Sequence, residues 1–402
     1  MPTVEYTKRL LESELTHHLN RNKSILLLGP RQTGKTTLLN QFHADFTLSF
    51  LSPKTRQRYE KNPDLLSGEI KQLKQEKATT KKQNFLVVLD EIQKVPALLD
   101  IVQELIDKEI AQFILCGSSA RKLKRNSNIN LLPGRVVSLH LDPFTHAEYP
   151  AGDLLEKIIF GSLPGICKTR LKSDKEIDLQ SYVETYLEEE IRQEALVRSV
   201  GNFSRFLEFA CIESGKIQNF RKLSQEIGIS HTTISSYYEI LEDCLIAERI
   251  DPYTTSTTRK KLTKSSRYLI FDLGVRRVCS HEGSKLNTPR YGEIFEQYVG
   301  LELLRYTRVF SKSIQLQFWR DPGGPEIDWI LNHNNKLTPI EVKWSESPTL
   351  SDVKHLMTFL KEYPDSTQEA FIICRTPRPY KITSNITAFP WERIKEVVEK
   401  SV

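Results

Sequence analysis

Several features are missing from this chain, and each absence removes a class of function. Its six cysteines, Cys116, Cys167, Cys211, Cys244, Cys279 and Cys374, lie far apart with no Cys-x-x-Cys pair. That excludes a zinc knuckle and fits a reducing compartment better than a disulfide framework. The nine histidines form no His-Glu-x-x-His motif. The longest apolar runs, such as Ile25–Leu28 and Phe85–Leu89, fall far short of the ~20 residues that cross a bilayer. Residues 1–15 lack an apolar signal core, so the expectation is a soluble cytoplasmic protein with no membrane contact. An excess of one charge sign is missing too: 57 Lys and Arg against 51 Asp and Glu leave +6 over 402 residues. Such a balance permits a nucleic-acid partner without arguing for one. With 39% hydrophobic and 27% charged residues the chain is not disordered. At about 150 residues per domain it holds two or three.

The pattern along the chain is strand, turn and helix in alternation. Residues 1–24 read as a helix. Ile25–Leu28 is a strand, Gly29–Gly34 a turn and Lys35–Phe42 a helix. Residues 54–84 are polar and basic. Phe85–Leu89, Phe113–Cys116 and Val136–Leu141 read as buried strands, with a helix over Pro96–Ile110. Apolar strands alternating with helices predict an α/β fold with a parallel sheet and helices on both faces. After Pro143 helices dominate to about residue 250, and from Tyr291 a second, smaller α/β unit follows. The expected domains are 1–150, 151–280 and 281–402.

The first unit carries the most specific motif. Gly29-Pro30-Arg31-Gln32-Thr33-Gly34-Lys35-Thr36, followed by Thr37, matches G-x-x-x-x-G-K-[ST] between a strand and a helix. In such a P-loop, glycines let backbone N–H groups turn inward on a phosphate, and the following helix adds its positive dipole end. Lys35 is expected to reach the β- and γ-phosphates of ATP, and the Thr36 hydroxyl to hold Mg²⁺. Phe85–Leu89 then delivers Asp90 and Glu91 at a strand end, where ligands bind in parallel sheets. Asp90 suits Mg²⁺, and Glu91 suits a general base for hydrolysis; the alternative is a carboxylate that caps the next helix. Ser118, in the Gly117-Ser118-Ser119 turn, would sense the γ-phosphate if its strand lies beside that of Asp90. Otherwise it is a turn residue without contact. Arg135, after Leu132-Pro133-Gly134, is either an arginine finger, in cis or from a neighbouring subunit of a homo-oligomer, or a surface arginine.

These segments together resemble one prokaryotic family. The run Gly-Pro-Arg-Gln-Thr-Gly-Lys-Thr-Thr-Leu-Leu is followed by Leu-Asp-Glu-Ile-Gln, Gly-Ser-Ser, Leu-Pro-Gly-Arg-Val and Leu-x-Pro-Phe. Further on come Gly161-Ser162-Leu163-Pro164, Tyr182–Ile191, Phe271-Asp272-Leu273-Gly274, Phe295–Val299 and Ile340-Glu341-Val342-Lys343. The chain is similar over nearly its whole length to AAA-type (AAA+) P-loop ATPases with a C-terminal domain of unknown function. The resemblance implies ATP and Mg²⁺ and leaves the biological role open.

In the middle region, Leu223–Ser230 followed by His231–Leu245 reads as helix-turn-helix, with Gly228 at the turn and Ser230 capping the second helix. That helix carries Glu239, Glu242 and Asp243 and no Lys or Arg, which argues against deep insertion into a major groove. Strands near Ala247–Tyr253 and Arg267–Phe271 would form a wing. Arg259, Lys260, Lys261, Lys264 and Arg267 stand there without an acid between Pro252 and Ile270. This is a phosphate-binding wing for DNA, or else a solvated or docking loop.

In the last unit, Glu296 lies on a helix, Asp328 on a strand, and Glu341 and Lys343 on one face of the next strand. Glu293, one turn before Glu296, is a second candidate. An Asp-turn-Glu-x-Lys hairpin resembles the restriction-endonuclease-like nuclease fold, which implies Mg²⁺ on the carboxylates and phosphodiester cleavage. The alternative is a docking or DNA-holding module of the same fold. Two readings of the whole follow. One is an ATPase that switches or moves on nucleic acid and carries a nuclease-like domain. The other is a regulatory or defence switch that acts on a protein partner, with a non-catalytic C-terminal domain.

Overall fold

The computed structural model describes residues 6–77, 85–119, 134–187, 200–254, 265–285, 290–321 and 324–402. The chain forms two compact units, one built mainly from Met1–Pro143 and one mainly from Phe144–Val402.

The first unit is a five-stranded parallel sheet flanked by helices. In chain order its elements are α1 (Leu11–Asn20), β1 (Ser24–Leu28), α2 (Lys35–Leu39), β2 (Phe46–Ser49), α3 (Pro53–Lys61), α4 (Leu65–Lys77), β3 (Leu86–Asp90), α5 (Leu98–Asp107), β4 (Gln112–Gly117) and β5 (Val136–His140). The strand order is β2-β3-β4-β1-β5, every pairing parallel. The three inner strands, SILLL, LVVLD and QFILCG, are apolar on both faces because helices cover both sides. α5 lays Leu98, Leu99, Val102 and Leu105 on this core. Two features differ from the sequence reading. β2 has no counterpart among the strands read from the sequence, because a four-residue edge strand with a half-exposed pattern has little period to detect. The helix after the P-loop ends at Leu39, not Phe42.

The second unit begins with α6 (Leu154–Phe160), α7 (Pro164–Lys168), α8 (Lys172–Ser181) and α9 (Val200–Ile212). α10 (Phe220–Ile227) ends at Gly228, whose φ of 81° is the left-handed turn a Cβ would disfavour. α11 (His231–Asp243) starts where the Ser230 hydroxyl accepts from the Thr233 N–H at 3.1 Å. The antiparallel pair β6 (Ala247–Ile250) and β7 (Arg267–Ile270) follows. An aromatic cluster holds this region, with Tyr238 4.2 Å from Tyr268 and stacked on Phe220 at 5.1 Å. α12 (Leu273–Cys279) is capped by Asp272, which accepts from the N–H groups of Val275 and Ser162. Two short motifs far apart in sequence, around Gly161 and Asp272, are thus one structural device.

α13 (Arg290–Phe310) then packs on a six-stranded mixed sheet, β8 (Ile314–Arg320), β9 (Glu326–His333), β10 (Lys336–Val342), β11 (Ala370–Cys374), β12 (Tyr380–Lys381) and β13 (Ile386–Pro390). Its order is β12-β13-β11-β10-β9-β8. α14 (Lys354–Glu362) covers the core formed by Trp319, Ile330, Leu356, Phe359 and Ile372, and α15 (Ile394–Lys400) closes the chain. No described helix is long and apolar enough to cross a membrane.

Candidate functional site

The Gly29–Thr36 loop leaves β1 at its C-terminal end. Gly29 is required by close approach: a Cβ there would lie 2.3 Å from the Leu141 carbonyl oxygen. Gly34 has φ 89°, a left-handed conformation natural to glycine. The buried Lys35 ammonium donates to the carbonyls of Gly29 and Pro30, both at 2.8 Å. The loop's own dipoles therefore hold this cation at the centre of the curl. The Thr33 hydroxyl donates to the Pro30 carbonyl at 2.9 Å. Arg9, buried before α1, clamps the loop from outside by donating to the carbonyls of Thr33 and Asp142, each at 2.7 Å. No motif marks Arg9 in the sequence, because its partners are backbone oxygens. Gln32, Thr36 and Thr37 face solvent, and Arg31 is half-buried.

β3 and β4 bring the second half of the site alongside. Asp90 pairs in register with Cys116, so Glu91 and Ser118 leave the sheet from neighbouring strands. The Thr36 hydroxyl donates to Asp90 Oδ2 at 3.2 Å, across 54 residues of sequence. Asp90 Oδ1 is buried with no hydrogen-bond partner. An unpaired carboxylate oxygen beside a hydroxyl is a donor set that a hard divalent cation takes. Glu91 sits in the left-handed region, φ 59°, at the start of a single 3₁₀ turn, Ile92–Lys94. Gln93, which the sequence reading gave no role, donates from Nε2 to Glu91 Oε2 at 2.6 Å and to Ser118 Oγ at 3.2 Å. Its sequence signal is its place at the end of the Leu-Asp-Glu-Ile-Gln run, two residues after the acidic pair.

Arg135 is not brought to the loop. It immediately precedes β5, whose Val136 pairs with Ser24 at the start of β1, whereas the P-loop follows the end of β1. At ~3.3 Å per residue, five strand residues put it on the order of 16 Å away along the sheet. There it pairs with Asp107 at the end of α5, at 2.5 Å. The strand direction thus corrects the expectation of an arginine finger in cis.

In the second unit, Arg259, Lys260, Lys261 and Lys264 lie outside the described residues. Arg267 belongs to β7 and is not on a surface wing: it is 3% exposed, so it presents no charge to a DNA backbone. Tyr237 on α11 is likewise buried, 4.8 Å from Phe203.

The acidic constellation of the last unit does come together. Trp329 pairs with Ile340 in the antiparallel β9–β10 hairpin, which sets Asp328 level with Glu341. Asp328 Oδ2 accepts from the Val342 N–H at 2.8 Å, and Lys343 Nζ reaches Glu341 Oε1 at 2.7 Å. Glu341 Oε2 is buried without a partner. Arg267 enters the same cluster. Its guanidinium pairs with Glu296 at 2.7 Å and with Glu326, and donates to the Asp328 carbonyl at 3.3 Å. It lies against the rings of Phe318 and Trp329, at 4.7 and 5.4 Å. Burial, and then the charge of Asp328, push both Glu296 and Glu341 up to about 8. Burial raises Asp328 as well. Glu293 instead lies within 3.8 Å of Lys216 and Arg290.

Comparison with known proteins matches three successive segments of the chain. Residues 21–150 match an AAA domain, 151–285 a domain of unknown function (DUF8612) and 291–394 another domain of unknown function (DUF4143). The chain is similar to an uncharacterized protein of Mycobacterium tuberculosis, 22% identical over 360 residues that cover 87% of this chain and 78% of that one. It is also similar to an uncharacterized protein of Methanocaldococcus jannaschii, 24% identical over 382 residues, covering 83% and 78%. Among solved structures, that of C. elegans PCH-2 is 17% identical with a TM-score of 0.25, covering 58% of this chain and 65% of that one, a likeness too low to carry an argument. Residues 21–150, built around the Gly29–Thr36 loop, are thus an AAA-type ATPase domain, and a C-terminal domain of unknown function follows it in the sequence at residues 291–394.

Proposed function

We propose that this chain hydrolyses ATP with Mg²⁺ at the Gly29–Thr37 loop and uses the nucleotide cycle to switch or move on nucleic acid held by its second unit. The observation that supports the ATPase chemistry best is the meeting of Thr36 and Asp90 beside an unpaired Asp90 oxygen. Thr36 and Asp90 would hold Mg²⁺, which when bound offsets the charge of the β- and γ-phosphates. The backbone N–H groups from Arg31 to Gly34 would face the phosphates. Lys35 exchanges two carbonyl partners for phosphate oxygens. Glu91 takes a proton from the attacking water, whose oxygen bonds to the γ-phosphorus as the bond to the β–γ bridging oxygen breaks, releasing ADP and phosphate. Ser118 Oγ reports whether the γ-phosphate is present.

The action on nucleic acid draws on the acidic hairpin of Asp328, Glu341 and Lys343, with the unpaired Glu341 oxygen suited to a divalent cation. A second reading has an observation of its own. Arg267 already pairs with Glu296 and Glu326, so one carboxylate of the nuclease-like set is taken by a built-in cation. That favours a non-catalytic second unit acting on a protein partner. ATP turnover by the full chain with and without DNA separates them. Stimulation by DNA, with a salt-sensitive complex, supports the first reading. Unchanged turnover and no complex support the second. Mg²⁺-dependent nicking that vanishes in both Asp328→Ala and Lys343→Ala would assign cleavage to the hairpin.

A further inference from the structure

Three buried side chains near the P-loop form one chain of hydrogen bonds. Glu91 is 8% exposed, Gln93 3% and Ser118 1%. The Gln93 amide joins the other two, through Nε2, at 2.6 and 3.2 Å. Its arrangement is built by the fold. The 3₁₀ turn Ile92–Lys94, closed by the Lys94 N–H on the Glu91 carbonyl at 3.0 Å, directs the amide back toward β4. Gly117 makes room for it: a Cβ at that position would lie 2.6 Å from Gln93 Oε1. The amide also has a cost, since Oε1 is buried without a partner. An apolar residue of the same volume would avoid that cost, so packing alone does not account for Gln93.

We infer that Gln93 is a positioning residue that ties the carboxylate of Glu91 to Ser118, so that the orientation of the base follows the occupancy of the γ-phosphate site. The deduction rests on the ATPase reading above. With one carboxylate oxygen held by the amide, the other is the oxygen directed at the water. When the Ser118 hydroxyl turns to a γ-phosphate oxygen, the shared amide hydrogen bonds redistribute and Glu91 is reset. After the phosphate leaves, the original pairing returns. No proton is transferred through Gln93, and no bond to it forms or breaks.

The consequence is a selective loss of turnover. In the full chain, Gln93→Leu should lower kcat about 10–100-fold, the scale set by small misplacement of a catalytic group. KM for ATP and the Kd of a non-hydrolysable ATP analogue should stay within about twofold, since neither bond reaches the substrate-binding loop. Gln93→Glu has the same shape but loses the donor and sets a carboxyl against Glu91; it should lose turnover to a similar degree. If Gln93→Leu does not fold, Gln93→Glu decides alone. The double variant Gln93→Leu/Ser118→Ala should lose less than the product of the single losses, because the two residues act through one link. A kcat within twofold of the wild type in the folded variants, or loss of analogue binding in step with kcat, overturns the role of Gln93 and leaves the ATPase reading intact. A wild-type chain without turnover, indistinguishable from Lys35→Ala, overturns both.

Discussion

At the P-loop, the buried ammonium of Lys35 rests on two carbonyl dipoles. At the acidic hairpin, the buried guanidinium of Arg267 rests on the carboxylates of Glu296 and Glu326. The first arrangement is easily exchanged, because a phosphate offers a full charge where the carbonyls offer partial ones. The second is already neutralised, and withdrawing Arg267 would leave carboxylates uncompensated in a desolvated place. Both sites keep one buried, unpaired carboxylate oxygen, Asp90 Oδ1 and Glu341 Oε2. A site awaiting a ligand is therefore marked by how weakly its own groups satisfy its charges, more than by how many charges it gathers.

The largest effect that would break this comparison is Arg267→Ala. Loss of one partner from a buried ion pair costs about 3–5 kcal/mol, so urea unfolding of the second unit should shift to much lower denaturant. Binding of an ATP analogue should survive at concentrations where the folded protein persists. A variant as stable as the wild type would show that the carboxylates do not need this cation. At the P-loop the loss falls on function instead. Lys35→Ala should abolish analogue binding and reduce turnover by about 10²–10³-fold, with little change in the unfolding curve. Glu91→Gln should bind and fail to turn over; retained turnover would remove Glu91 as the base.

The two sites also differ in how far they were legible in the sequence. The P-loop was readable because its chemistry is local: eight consecutive residues after an apolar strand require that loop. Asp90, Glu91 and Ser118 followed from strand ends, since parallel strands deliver their C-terminal residues to one edge of the sheet. Gln93 and Arg9 were not readable, because hydrogen bonds to a neighbour's oxygen or to backbone carbonyls have no sequence period. In the second unit, alternation through the end of β10 and the residue after it puts Glu341 and Lys343 on one face. The same reading mistook Arg267 for a surface charge. Its acid-free stretch looks like a wing in one dimension, whereas its counter-charges, Glu296 and Glu326, come from elements 29 and 59 residues away. Arg135 failed for a related reason: proximity to a motif says nothing of which end of a strand a residue occupies.

A smaller effect is the pH dependence of the second unit. Glu296 and Glu341 are held above their ordinary 4.5, up to about 8. A carboxyl with a raised folded value binds its proton more tightly when folded. Its contribution to stability is complete below about 4.5 and is lost as pH rises through about 8. The metal-free chain should therefore unfold at lower urea at pH 8 than at pH 5.5. Glu341→Gln should flatten that slope. Mg²⁺ or Mn²⁺ added at pH 8 should restore the midpoint in the wild type and not in Asp328→Asn. No response to either ion would leave Arg267 as the cluster's cation and favour the non-catalytic reading.

The smallest expected effect is at Arg135. Just before β5, Arg135 stands at the end of the sheet opposite the phosphate loop and is partly exposed, paired with Asp107. Such a surface pair contributes little, and the strand geometry denies it the γ-phosphate of its own chain. Arg135→Ala should therefore leave turnover per chain within about twofold at low protein concentration. A large loss that grows with concentration would carry a different meaning. Mixing Arg135→Ala chains with Lys35→Ala chains would then test for a finger given in trans, since a mixed interface pairs an intact P-loop with an intact arginine. Recovery of turnover in the mixture, and none in either variant alone, would make the first site incomplete without a second copy. It would also extend the contrast between the sites: the P-loop would await a partner chain as well as a nucleotide, while the acidic cluster draws its cation from a strand of its own chain, β7.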